Sequence, residues 1–126
     1  MFYDPDKVPE EMIRDIIFDA EDVFAEELGT PDSEGGPLTS DMILIRPIRH
    51  HPSTTSKHAL EFVVSIHHYP ARMKDPDGLA KKIGERLSGA IHMILDPTLM
   101  SPLPGMPWDC FVQLELSEIG YEPFKI

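Results

Sequence analysis

Residues 59–69, "ALEFVVSIHHY", alternate apolar and polar side chains with a period of two, the signature of a strand that is oily on one face and wet on the other. Leu60, Phe62, Val64 and Ile66 share one face; Glu61, Ser65 and His67 share the other. Such a strand needs a layer over its oily face, and the chain supplies two segments fit to provide it. Met12, Ile13, Ile16, Ile17, Ala20, Val23, Phe24 and Leu28 recur at helical spacing, with Asp15, Asp19, Asp22, Glu26 and Glu27 mostly off that stripe. Pro9, Glu10 and Glu11 open this helix and Gly29 closes it.

A second helix starts at Asp75-Pro76-Asp77, with Asp75 as cap, and buries Leu79, Ile83, Leu87, Ala90, Ile91, Ile94 and Leu95. The run "MILIRPIRHH" reads as a further strand, confined by Pro47 to an edge, a bulge or a strand end. With the polar, proline-led "PSTTSK" between them, it and residues 59–69 are expected to form an antiparallel hairpin. "DPTLMSPLPGMP" is a stiff, non-helical connection, and "WDCFVQLEL" is a last strand with Cys110, Val112, Leu114 and Leu116 inward. The expected fold is a single α+β domain over residues 1–126: a small, mostly antiparallel sheet of three strands with two amphipathic helices packed on one face. An open sheet of that kind exposes edges that must be blunted or paired.

Acidic residues outnumber basic ones 22 to 11, giving a net charge of −11. That balance argues against sequence-specific binding of nucleic acid through a basic groove. The single cysteine, Cys110, excludes an internal disulfide framework and reads as a core residue. The opening "MFYDPDKVPEE" carries acid where a signal peptide needs basic residues, and no stretch is long enough to span a bilayer, so a soluble chain is expected.

Five of the six histidines lie in residues 50–68, as the pairs His50-His51 and His67-His68 with His58 between. In a hairpin the two pairs sit at opposite ends, roughly 25 Å apart, and cannot share a metal ion. Neighbours along a strand also point to opposite faces, so neither pair chelates by itself. A site from His50 or His51 with His58 has the right reach but no flanking carboxylate, and the plainer reading is a polar hairpin end. His92 is expected at a rim. The acidic cluster of Asp4, Asp6, Glu10 and Glu11 reads as a solvated helix entrance, and no catalytic motif or cofactor loop is present in the sequence. Arg46 and Arg49 flank Pro47 in an otherwise acidic chain and are placed to reach an acidic neighbour at an interface.

The order of a leading acidic helix, a long hairpin, the amphipathic helix "DGLAKKIGERLSGAIHMIL" and a closing strand resembles the tail-terminator and tail-completion (neck) proteins of long-tailed bacteriophages. The likeness covers most of the chain and is one of order and spacing, without a sharp motif. It implies a non-enzymatic virion protein without cofactors, made in the host cytoplasm. Such a protein assembles as a homo-oligomeric ring, commonly a hexamer, at the head–tail junction. Its implied partners are the tail tube and the head–tail connector, with DNA passing through the ring and no membrane involved. Many members carry a further strand after the last one here. Contacts between copies are then expected at Leu38, Arg46, Arg49, Leu99, Met100, Leu103, Met106 and Trp108.

The run "EFVVSIHHYPARMKDPDGLAKKIGERL" is also similar to the second half of a tautomerase-superfamily subunit, which would give Arg72 a catalytic role. That chemistry needs an amino-terminal proline as base; position 2 is Phe2, and the family's first strand is missing.

Overall fold

The structure, a computed structural model, describes residues 1–51, 58–95 and 110–117. In chain order its elements are β1 (Phe2–Tyr3), α1 (Glu10–Leu28), β2 (Ile48–Arg49), β3 (Leu60–His67), α2 (Pro70–Met73), α3 (Pro76–Leu95) and β4 (Cys110–Ser117), with single 3-10 turns at Asp32–Glu34 and Ser40–Met42. The fold is α+β, as the pattern predicts, but with three helices and a mixed sheet of four strands in the order β2-β1-β3-β4.

Both long helices bury the stripes read from their periodicity. Ile16, Ala20, Phe24 and Leu28 of α1 and Ile83, Leu87 and Ile91 of α3 meet Tyr3, Leu60 and Phe62 of the sheet in one core. The Phe24 and Phe62 rings lie 5.5 Å apart in a tilted pair. Asp75 caps α3, its Oδ1 accepting from the Gly78 N–H at 3.0 Å and its carbonyl from the Leu79 N–H at 2.9 Å. On the solvent side the helices are tied together: Arg86 donates to Glu27 Oε1 at 2.8 Å and to Glu26 Oε2 at 2.5 Å, and Lys82 lies 3.3 Å from Glu27. Burial pushes the Glu27 carboxyl up, but hydrogen bonds and charge from Arg86 and Lys82 outweigh it and hold the group below its ordinary value.

The end of α1 departs from the glycine-stop expectation. Gly29 has φ −59 and ψ 148, ordinary extended backbone, so its freedom is not what ends the helix. The Leu28 carbonyl is instead capped from 44 residues away, where Arg72 donates through Nε at 3.0 Å and NH2 at 2.8 Å. Arg72 NH1 donates to the His67 carbonyl at 3.0 Å, so one buried guanidinium joins the end of α1 to the end of β3.

The expected hairpin does not form. β1 lies between β2 and β3, parallel to β2 and antiparallel to β3, and β4 runs parallel to β3, so the sheet is mixed rather than mostly antiparallel. The physical reasons are local. Pro47 removes a ladder donor from "MILIRPIRHH", leaving only Ile48–Arg49 as strand. Meanwhile Met1, which accepts from the Ile48 N–H at 2.8 Å and donates its ammonium to the Arg46 carbonyl at 2.9 Å, zips the amino terminus into the place a hairpin partner would take. The parallel β3–β4 pair follows from the helices α2 and α3 between them, a βαβ connection.

Candidate interaction surface and a slot beside strand β3

Residues opposite one another in a sheet share a face, so the register builds the sheet's outer surface directly. Ile48, Phe2, Glu61 and Phe111 form one row across all four strands. Val63 and Gln113 form the next, and Ser65 and Glu115 a third, closed by a 3.0 Å hydrogen bond from the Ser65 hydroxyl to Glu115 Oε2. No described helix covers this face: Ile48 is 47% exposed, Val63 40% and Phe111 41%. His50 stacks on Phe2 with centroids 6.4 Å apart, and His58 stacks on Phe111 at 5.0 Å. The face therefore carries exposed apolar and aromatic side chains interleaved with Glu61 and Gln113 and bordered by Ser65 and Glu115, the mixed composition of a contact surface.

The second feature is a cavity of about 800 Å³ between β3 and the extended chain upstream of β2. Its floor is the core edge at Phe24, Leu28 and Phe62; Met1 and Arg46 stand at one end, and Tyr69 and Arg72 at the other. The far end is built by a tight loop in which the Thr30 hydroxyl donates to the Glu34 carbonyl at 2.7 Å. Gly35 turns there at φ 101, which a side chain rarely adopts, and a Cβ would press on the Tyr69 ring at 3.0 Å. The Arg72 guanidinium sits 5.3 Å from the centre of that ring. Burial draws Arg72 down from the ordinary guanidinium value, with Tyr69 and Glu34 opposing.

The residues singled out in the sequence scatter over these features. Arg46 is exposed at the slot. Arg49 lies 3.2 Å from Glu10 of its own chain, so the acid it reaches is internal. Leu38 packs half-buried against the core and lines the slot. Leu99, Met100, Leu103, Met106 and Trp108 lie outside the described residues, as does the Cys110 side chain.

His50 and His58 fall at the β1 end of the sheet, and His67 at the far end of β3, where it stacks on His68 at 4.8 Å and meets Tyr69 edge-on at 4.5 Å. Among the described residues no three His, Cys, Asp or Glu side chains gather as a metal-holding group. His92, expected at a rim, is buried on the inner side of α3. Sequence reading passed over Phe2, Ile48, Val63 and Phe111. The available signal was that Val63 and Phe111 are apolar at wet-face positions of their strands.

No family model, no curated protein and no solved structure matches this chain.

Proposed function

We propose that this chain is a structural assembly subunit, and that its place is the ring at the head–tail junction of a long-tailed bacteriophage, as a tail terminator, tail-completion or neck protein. The observation that carries the reading is the uncovered outer face of the sheet, where Phe2, Ile48, Val63 and Phe111 form a band that a second copy would desolvate. β4, eight residues long and an edge among the described strands, adds a row of backbone groups that a neighbouring copy can pair. The net charge of −11 suits a ring through which DNA slides without adhering. No helix among the described residues is long and apolar enough to cross a membrane, which fits a place within a particle. The order and spacing of elements supply the family part of the proposal.

The tautomerase-like alternative draws no support from Arg72, which gives one N–H each from Nε, NH1 and NH2 to the Leu28 and His67 carbonyls. Two of its five N–H groups remain, but the three bonds explain the residue as a structural clamp between α1 and β3.

The test is the native mass of the purified chain, alone and with isolated phage tail tubes, followed by negative-stain imaging. A closed ring, or a monomer that closes into one on a tube end, is expected. Val63→Lys should abolish that ring with helical content unchanged. A chain that stays monomeric and ignores tube ends overturns the proposal, and a compact trimer indifferent to tubes returns attention to Arg72.

A further inference from the structure

The two edges of the sheet are unlike. In the order β2-β1-β3-β4, one edge is β4, the outermost of the described strands on its side. The Asp4 N–H donates to the Ala59 carbonyl at 3.0 Å, so Ala59 and Glu61 bond toward β1, while Phe62 and Val64 bond toward β4. In a parallel ladder those bonds go to the residues flanking each partner, here Phe111, Gln113 and Glu115. Val112 and Leu114 therefore turn their N–H and C=O to the open edge.

The opposite edge is β2 with the chain leading into it. The Ile48 and His50 amides bond to the Met1 and Tyr3 carbonyls, so Pro47 and, by the same alternation, Ile45 face away from β1. Pro47 has no N–H and blunts β2 itself. Upstream the chain is extended, with Ile43 at φ −99 and ψ 123, and no backbone hydrogen bond to Ile45 occurs among the described residues. The place left for a neighbouring strand is residues 42–46. Met42 and Leu44 are 63% and 76% exposed there, while Ile43 and Ile45 pack half-buried against the core.

We infer that the β4 edge of one copy pairs, antiparallel, with residues 42–46 of the next, and that Glu115 meets Arg46 across this seam. The inference rests on the ring reading, which needs a head-to-tail contact. Unlike edges joined from copy to copy can close a ring, whereas β4 against β4 is a two-fold contact that stops at a dimer. β2 runs antiparallel to β4 through the pairings between them, so a sheet continued into the next copy joins these edges antiparallel. Side chains match on both faces. Ile43 and Ile45 come beside Val112 and Leu114 on the helix side, all four half-buried in the single copy, and Met42 and Leu44 come beside exposed Phe111 on the outer side.

Charge selects the pairing. Arg46 is the single charged residue in 42–46, and Glu115 the single one in Cys110–Ser117. Both are exposed; Ser65 donates to one Glu115 oxygen at 3.0 Å, and no ion pair to Arg46 occurs among the described residues. Like edges would set two carboxylates or two guanidiniums together, whereas unlike edges set one of each.

The test is charge reversal in the full chain, read by sedimentation velocity alone and with isolated tail tubes, with helical content as the folding control. Arg46→Glu and Glu115→Lys should each weaken assembly about tenfold or more, and the two together should restore it. The Ile45, Val112 and Leu114 amides should exchange more slowly in the assembly than in the dilute single copy. Wild-type assembly that neither single reversal weakens overturns the inference and leaves the ring reading standing, as do single losses that the double variant fails to recover. A dimer that protects Val112 and Leu114 but not Ile45 also overturns it, as does slow exchange of Val112 and Leu114 in the single copy, whose edge would then be covered from within. A wild-type chain that assembles neither alone nor on tube ends overturns the inference and the ring reading together.

Discussion

The two halves of the sheet are made differently. Between β3 and β4, eight residues pair in unbroken register from Leu60↔Cys110 to His67↔Ser117, over a core shared by α1 and α3. Between β1 and β2 the register is two residues long, and a slot lined by Met1, Arg46 and Val63 lies beside it. The cause is in the residues: β3 carries an uninterrupted apolar alternation, whereas β2 is cut by Pro47 and β1 turns off at Asp4, whose carbonyl accepts from the Lys7 and Val8 amides. One half is a platform fixed by packing. The other is held by a few backbone bonds at its margin, the Ile48 and His50 amides to the Met1 and Tyr3 carbonyls and the Met1 ammonium to the Arg46 carbonyl.

That contrast is broken most severely by substitutions on the platform side. Phe62→Ala, which removes a ring 2% exposed and packed on Phe24, should cost about 3–5 kcal/mol by urea denaturation, while Leu44→Ala, 76% exposed on the slot rim, should stay within about 0.5 kcal/mol. Equal costs would mean that the halves do not differ in packing. Next comes Arg72→Met, which leaves the Leu28 and His67 carbonyls without their donors and should cost about 2–3 kcal/mol in thermal or chemical unfolding. Arg72→Lys should recover little of it, since an ammonium cannot fork between the two sites.

The smallest effect sharpens the comparison through pH. Glu27 is depressed in the folded chain, so its contribution is complete above its ordinary value of 4.5 and is lost as pH falls through the lower folded value. Arg86→Ala should cost about 1 kcal/mol or less at neutral pH and flatten the acid limb of the stability curve below the ordinary carboxyl value of 4.5. An acid limb unchanged by the substitution would remove the α1–α3 clamp from the account.

What the sequence made legible were the elements whose signal is long. α1, α3, β3 and β4 each run far enough for periodicity to show, and the described apolar residues of their buried faces are the ones read from it, with buried His92 on α3 the exception. β1 was illegible because two residues carry no period, and without it the hairpin and a mostly antiparallel sheet followed naturally. Arg72 as a helix cap was hidden for another reason: its partner carbonyl is 44 residues away, and nothing local marks a capping arginine. The outer-face band was half visible, since Val63 and Phe111 break the wet-face pattern, but Phe2 and Ile48 join it only once β1 is placed. The slot itself depends on that same placement.

The most direct measurement is residue-resolved amide hydrogen exchange across the sheet. If the two halves differ as described, Phe62, Val64 and Ile66, in the eight-residue register with β4, exchange slowly, while the Ile48 and His50 amides, bonded to the Met1 and Tyr3 carbonyls in the two-residue register, exchange much faster. Equal protection of the two sets would contradict it, because the short register would then be as firmly held as the platform.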